Sequence, residues 1–254
     1  MQHYLSVTPG EASGLSLPGS SLAHVAYRIG PCSTLLRQNP LLQTKGGLLS
    51  VSDREASFVD DAKALCAAVL RECGRRSYSG VVLDFEQPLR QDLRQFAQQL
   101  SPQLQGSGRT LFVPDSHARH IPQATPLICT ALSGGDLTER LQQAVSAYPG
   151  RRLALDVQRL RMDFTLPAPS GEGQPLTGEA LQALLKEKNA AVFFSPALCT
   201  RYFTYTQNGA AHFVLFDDAE TLRQKLRIGA RLGYCAALFQ WPEVQDILPK
   251  LGVF

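Results

Sequence analysis

Tryptophan occurs once and methionine twice in 254 residues, and no apolar stretch reaches the ~20 residues a bilayer-spanning helix needs. Charge of one sign is also missing. The net charge is only +3, and the arginine pairs Arg75-Arg76 and Arg151-Arg152 read as solvated helix ends or loops. Neither a nucleic acid nor a membrane is therefore expected as a partner, because both select concentrated basic patches. None of the six cysteines (Cys32, Cys66, Cys73, Cys129, Cys199 and Cys235) forms a C-x-x-C pair, which removes the usual zinc and redox spacings. Several lie inside apolar runs and are expected as buried free thiols in a reducing compartment. The opening residues 1–7 have neither a basic start nor a long apolar run, so no secretory signal is read and a cytoplasmic location is expected. A G-x-G-x-x-G turn after the first strand and a G-x-S-x-G elbow are both absent, which counts against a dinucleotide fold and a serine hydrolase.

Short apolar runs are abundant. Eight of them, Tyr4–Val7, His24–Ile29, Gly47–Val51, Gly80–Glu86, Thr110–Pro114, Pro126–Ala131, Arg152–Val157 and Cys235–Gln240, show little polar alternation, as expected of parallel strands buried on both faces. Apolar residues at helical spacing predict helices over Phe58–Arg75, Gln91–Leu104, Asp136–Tyr148, Ala219–Leu232 and Glu243–Leu251. Eight strand–helix units in about 250 residues predict an α/β chain closed as one (β/α)8 TIM barrel over 1–254, with an open doubly wound sheet as the alternative. Roughly 60 residues separate the seventh and eighth strands, too many for one crossover. A small α+β insertion is expected at 167–218: a Pro- and Gly-rich loop at Pro167–Gln174, a helix at Thr177–Lys188, and strands at Ala191–Phe194, Arg201–Thr206 and His212–Phe216. The last two are joined through Asn208-Gly209, a strong hairpin signal.

In such a barrel, chemistry belongs at the carboxyl ends of the strands. The fourth strand ends in Asp84 and Glu86. Residues two apart on a strand point the same way, so Val82, Asp84 and Glu86 are expected to face inward together. Two close carboxyls disfavour double ionisation, and the one that keeps its proton can serve as an acid. Such a pair also serves as a loop cap or an arginine partner. His117 and His120 follow the fifth strand near Asp115; a polar loop is expected there, with a metal-assisted hydrolase site built from the three as a further alternative. Asp115 is a candidate cleft contact. Tyr202 and Tyr205 are candidates for a groove wall or, equally, for the insertion's own core.

Residues 78–86, Tyr-Ser-Gly-Val-Val-Leu-Asp-Phe-Glu, resemble the fourth-strand signature D-G-x-D-x-D-x-E of family 18 glycoside hydrolases. Arg201–Lys225 resembles the tyrosine-bearing hairpin and following turn of the spore-germination branch of that family. Met162–Pro167 resembles the same branch's turn after the seventh strand. The resemblance spans about Gly80 to Gln240. It implies retaining, substrate-assisted hydrolysis of a glycan carrying N-acetylated sugars, with peptidoglycan, spore cortex or a chitin-like oligosaccharide as substrate, no cofactor and no metal. It further implies Glu86 as the acid, Asp84 as the group that orients the acetamide, and Gln240 or Trp241 at the sugar-stacking position, with spore association. The sequence departs from the pattern in four places. Ser79 and Val82 replace the first two aspartates, Thr130–Asp136 lacks the tyrosine of a Tyr-Asp pair, Leu160-Arg161 stands for Tyr-Gly, and Gln240 falls where a tryptophan is usual. These losses make a sugar-binding barrel without turnover the alternative.

Overall fold

A computed structural model describes residues 1–12, 15–38, 45–86, 88–168 and 171–254. The chain runs β1 (Gln2–Val7), α1 (Pro9–Ala12), β2 (Leu22–Gly30), β3 (Thr34–Arg37), β4 (Leu48–Ser52), α2 (Ala62–Arg76), β5 (Gly80–Asp84), α3 (Gln91–Gly106) and β6 (Thr110–Pro114). It continues through α4 (Asp115–Ala118), β7 (Thr125–Cys129), α5 (Leu137–Ala147), β8 (Ala154–Val157), β9 (Arg161–Leu166), β10 (Gln174–Pro175), α6 (Gly178–Glu187) and β11 (Phe193–Ser195). The last elements are β12 (Thr200–Gln207), β13 (Ala210–Phe216), α7 (Ala219–Arg231), β14 (Ala236–Gln240), α8 (Trp241–Val244) and α9 (Leu248–Leu251). Strands β1, β14, β8, β7, β6, β5, β4 and β2 lie side by side in that order, all parallel, and pairing of β1 with β2 closes the ring. The architecture is the expected (β/α)8 barrel with a small α+β insertion.

Two cores explain why these strands are apolar on both faces. Ala23, Leu48, Val82, Phe112, Ala154, Ala236 and Leu238 fill the barrel interior. Leu49, Val51, Val81, Leu83, Leu155 and Phe239 face outward under the helices, against Leu65, Val69, Phe96 and Leu222. Burying both faces is what removes the period-2 alternation. Strand β3 is antiparallel on β2, outside the ring, and its four residues are too short to register in the sequence. At the start of β4, Gly47 has φ +73°, and a Cβ there would lie 2.0 Å from the carbonyl oxygen of Leu22, so only glycine fits.

Helix ends obey capping chemistry. Asp61 caps α2 by accepting from the Ala64 amide at 3.0 Å, so that helix starts at Ala62 and leaves Phe58 exposed, later than the apolar spacing suggests. Asp136 caps α5 and Thr177 caps α6. Asp218 and Thr221 form a reciprocal capping box on α7. The single terminal helix expected over Glu243–Leu251 is two short ones, α8 and α9, each opened by a proline that has no amide to continue a preceding helix. All six cysteines are free; Cys66, Cys73 and Cys199 are buried as expected, but Cys129 and Cys235 are only half-buried and Cys32 is exposed.

The second sheet, β10-β9-β13-β12-β11, is antiparallel throughout. It takes in Arg161–Leu166 as its strand β9, paired with β13 along Phe213↔Phe164 and its neighbours, so its first strand precedes residue 167. Of the loop read at Pro167–Gln174, residues 169–170 lie outside the described ones. Asn208 and Gly209 both have positive φ, 52° and 78°, the backbone of a type I′ hairpin. Leu181 from α6 closes this sheet's core against Phe203, Val214 and Phe216. Among the described residues, no helix is long and apolar enough to cross a membrane.

Candidate active site

A cleft of about 1330 Å³ opens at the carboxyl ends of the barrel strands. Ser6, Ser52, Asp84, Pro114, Cys129, Asp156 and Gln240, each at the end of a different barrel strand, reach into it. Among the described residues, carboxylates outnumber arginines along its lining by seven to three, the opposite sign to the chain as a whole.

Strand β5 builds one wall. Val82 packs inside the barrel, while Leu83 and Phe85 pack outward under the helices. The intervening Asp84 and the following Glu86 line the cleft. The loop after β4 steadies this end: the Asp53 amide donates to the Asp84 carbonyl at 3.4 Å, and the Glu86 amide donates to Asp53 Oδ1 at 3.1 Å. Asp84 makes no ion pair among the described residues. Burial, and then the charge of Glu86, raise its carboxyl above the usual range. Glu86 is more open, and Arg54 grips it with a two-pronged fork, Nη2 to Oε1 at 2.6 Å and Nε to Oε2 at 3.1 Å. The Arg54 side chain is 72% exposed. Glu86 in turn holds the Arg54 guanidinium still more firmly in its charged form.

The remaining sequence candidates divide. Asp115 lines the cleft, yet both its oxygens are taken, by Arg140 Nη2 at 2.7 Å and by the Tyr148 hydroxyl at 2.7 Å. Gln240 lines the cleft and Trp241 does not: one residue further along, the indole turns outward and packs on the core under the helices. Tyr202 and Tyr205 also lie away from the cleft lining. Tyr202 packs with Phe193 and Phe213 on the second sheet, and Tyr205 stacks on His212 at 4.5 Å and donates to Asp163 at 2.6 Å. Both serve that sheet's own packing. His117 is buried and meets the Phe85 ring, whereas His120 is exposed; among the described residues no three potential ligands gather as a metal site.

Two acids that the sequence reading passed over complete the floor. Asp156, near the end of β8, lies in register with Cys129 on β7 and Leu238 on β14. Burial pushes its carboxyl up to about 6, the Gln158 amide opposes the shift, and the charges of Glu243 and Asp84 add to it. Glu243, on α8, accepts the Arg159 amide at 2.7 Å, and burial raises its carboxyl too. The signal for Asp156 was present: one aspartate near the end of the apolar run Leu153–Val157, two residues after Ala154, repeats the pattern of Asp84.

No protein-family model and no curated protein sequence matches the chain. Solved structures do match it, and they share the chitinase-like barrel of family 18 glycoside hydrolases. One is the spore cortex-lytic enzyme SleL of Bacillus megaterium, with 15% identity, a TM-score of 0.59, and 94% of this chain and 70% of that one covered. Another is a class V chitinase from Nicotiana tobaccum, with 14% identity, a TM-score of 0.65, and coverage of 100% and 98%. A variant of that chitinase in complex with NAG4 matches at 13% identity and a TM-score of 0.62, with 100% of each chain covered.

Proposed function

We propose that this chain is a glycosidase that cleaves a glycan containing N-acetylglucosamine, either peptidoglycan of the spore-cortex kind or a chitin-like oligosaccharide. The observation that carries this is the joint projection of Asp84 and Glu86 into an open, sugar-sized cleft at the carboxyl end of a chitinase-like barrel. Glu86 delivers a proton to the glycosidic oxygen as the bond from that oxygen to the anomeric carbon breaks. The acetamido oxygen of the same sugar closes on the anomeric carbon, so the configuration is retained after water opens the intermediate and returns a proton to Glu86. Asp84 orients the acetamide and balances the positive charge that develops on it. The Arg54 fork occupies both Glu86 oxygens and must open before Glu86 can reach a glycosidic oxygen. It lies at the solvent-exposed rim, where ion pairs contribute little and long side chains exchange partners readily. The matching cortex-lytic enzyme makes spore association part of the proposal.

The test is release of reducing ends from N-acetylated glycans. Wild type is expected to release them, and Glu86→Gln to lose at least about 100-fold in rate, the scale of a general acid. Equal rates would remove Glu86 from the chemistry. A second reading, glycan binding without turnover, is favoured by two observations. Both Glu86 oxygens are engaged by Arg54, and among the described residues the one aromatic ring in the cleft lining is that of buried Phe85. Binding of N-acetylated oligosaccharides with no turnover on any of them would select it.

A further inference from the structure

Asp156 is an unusual group for this molecule. Two fully buried or nearly buried aspartates have a cation beside them: Arg90 holds Asp92, and Lys225 holds Asp217. Asp156 makes no ion pair among the described residues, and its one protein partner is the Gln158 amide, which donates to Oδ2 at 2.7 Å. The second oxygen, Oδ1, is left to the cleft that Asp156 lines. The groups facing it from the packed elements are Asp84 on β5, Glu243 on α8, the Cys129 thiol on β7 and Leu238 on β14; none is a cation. An acid set among other acids, without a counter-charge, contributes nothing to the fold by ionising. Groups of that kind mark places where a side chain meets a ligand.

We propose that Asp156 is a substrate-contacting residue whose Oδ1 donates a hydrogen bond to an uncharged oxygen of the bound sugar, an inference that rests on the glycan function above. The proton needed for that bond is the one that burial and the surrounding acids retain up to about pH 6. Gln158 fixes Oδ2 as an acceptor and leaves Oδ1 as the protonated oxygen that faces the ligand. A neutral acceptor suits such a donor, and a cationic amino sugar does not. The two predict opposite pH dependence: a neutral sugar binds more weakly as Asp156 ionises, and a cationic one more tightly.

The experiment is calorimetric titration of wild type, Asp156→Asn and Asp156→Ala with the N-acetylglucosamine tetramer, and with its de-N-acetylated counterpart, from pH 5 to 8. For wild type, the dissociation constant for the acetylated tetramer should rise about tenfold between pH 5 and pH 7, following loss of the donated proton. Asp156→Asn keeps a donor that does not titrate, so its profile should be flat. Asp156→Ala should bind at least about tenfold more weakly than wild type at pH 5. Wild-type affinity that strengthens with pH, or an alanine variant that binds as wild type does, overturns the role of Asp156. Glycan turnover that depends on Glu86 would survive that result. Wild type that binds neither tetramer at any pH overturns the glycan function and this inference together.

Discussion

Single side chains set the electrostatics of the cleft. Asp156 is neutral in the folded chain and ionised in the unfolded one between its usual value of 3.8 and about 6. Ionisation therefore pulls the chain toward unfolding. The penalty is absent below about pH 4, grows through pH 6, and reaches its full size above it, at most about 3 kcal/mol. Asp156→Asn should accordingly melt at a higher temperature than wild type at pH 8, with the gap closing toward pH 4. A gap of the same size at both pH values would mean that Asp156 is not held neutral by its surroundings. Glu86 differs: it lies at the open rim, and the Arg54 fork engages both its oxygens. The two acidic residues singled out from the sequence thus stand in different surroundings, which their spacing alone could not reveal.

Strands and helices meet with little slack. Gly229 lies in the last turn of α7, where glycine still costs a helix up to about 1 kcal/mol relative to alanine. It is there because α7 rests on the barrel: a Cβ at that position would lie 2.6 Å from Leu155 Cδ1 and 3.1 Å from its Cγ, on β8. Leu155 is fully buried and cannot swing away. Gly229→Ala is therefore expected to destabilise by about 1 kcal/mol or more despite the gain in helix propensity, since overpacking costs about 1–3 kcal/mol. An increase in the urea midpoint would show the contact to be looser than this. Strand β8 carries Asp156 on its other face, so the same packing that excludes a methyl group from α7 also seats the cleft floor.

The whole molecule is one closed barrel with a second sheet attached between β8 and α7, and a buried ion pair ties the two together. Asp217 accepts from Lys225 Nζ at 2.7 Å, from the hydroxyls of Thr200 and Thr221, and from the Leu160 amide. Leu160 precedes β9, Thr200 belongs to β12, and Lys225 to α7, so a single carboxylate fastens the insertion sheet to the barrel's seventh helix. Both ion-pair side chains are fully buried. Lys225→Met strands the carboxylate without a cation and is expected to cost about 3–5 kcal/mol. Loss of less than about 1 kcal/mol in denaturant titration would show that the carboxylate is satisfied without the lysine. The doublet Asp217-Asp218 reads in sequence only as a helix start. Asp218 does cap α7, but its neighbour is spent on this junction.

Periodicity and turn chemistry are local properties, and they determined the eight strands, the larger helices, the Asn208-Gly209 hairpin and the position of Asp84 and Glu86 near a strand end. Those features need only a residue, its neighbours and the side-chain period of the backbone. Tertiary structure decided everything that depends on which distant segments meet. It set Arg54 against Glu86, turned Trp241 outward while Gln240 faces the cleft, and spent Tyr202 and Tyr205 on the second sheet. It also brought Asp156, 72 residues after Asp84, to the same floor. Closing the ring places strand ends around one hollow, and only that closure determines which acids share it and which find a counter-charge.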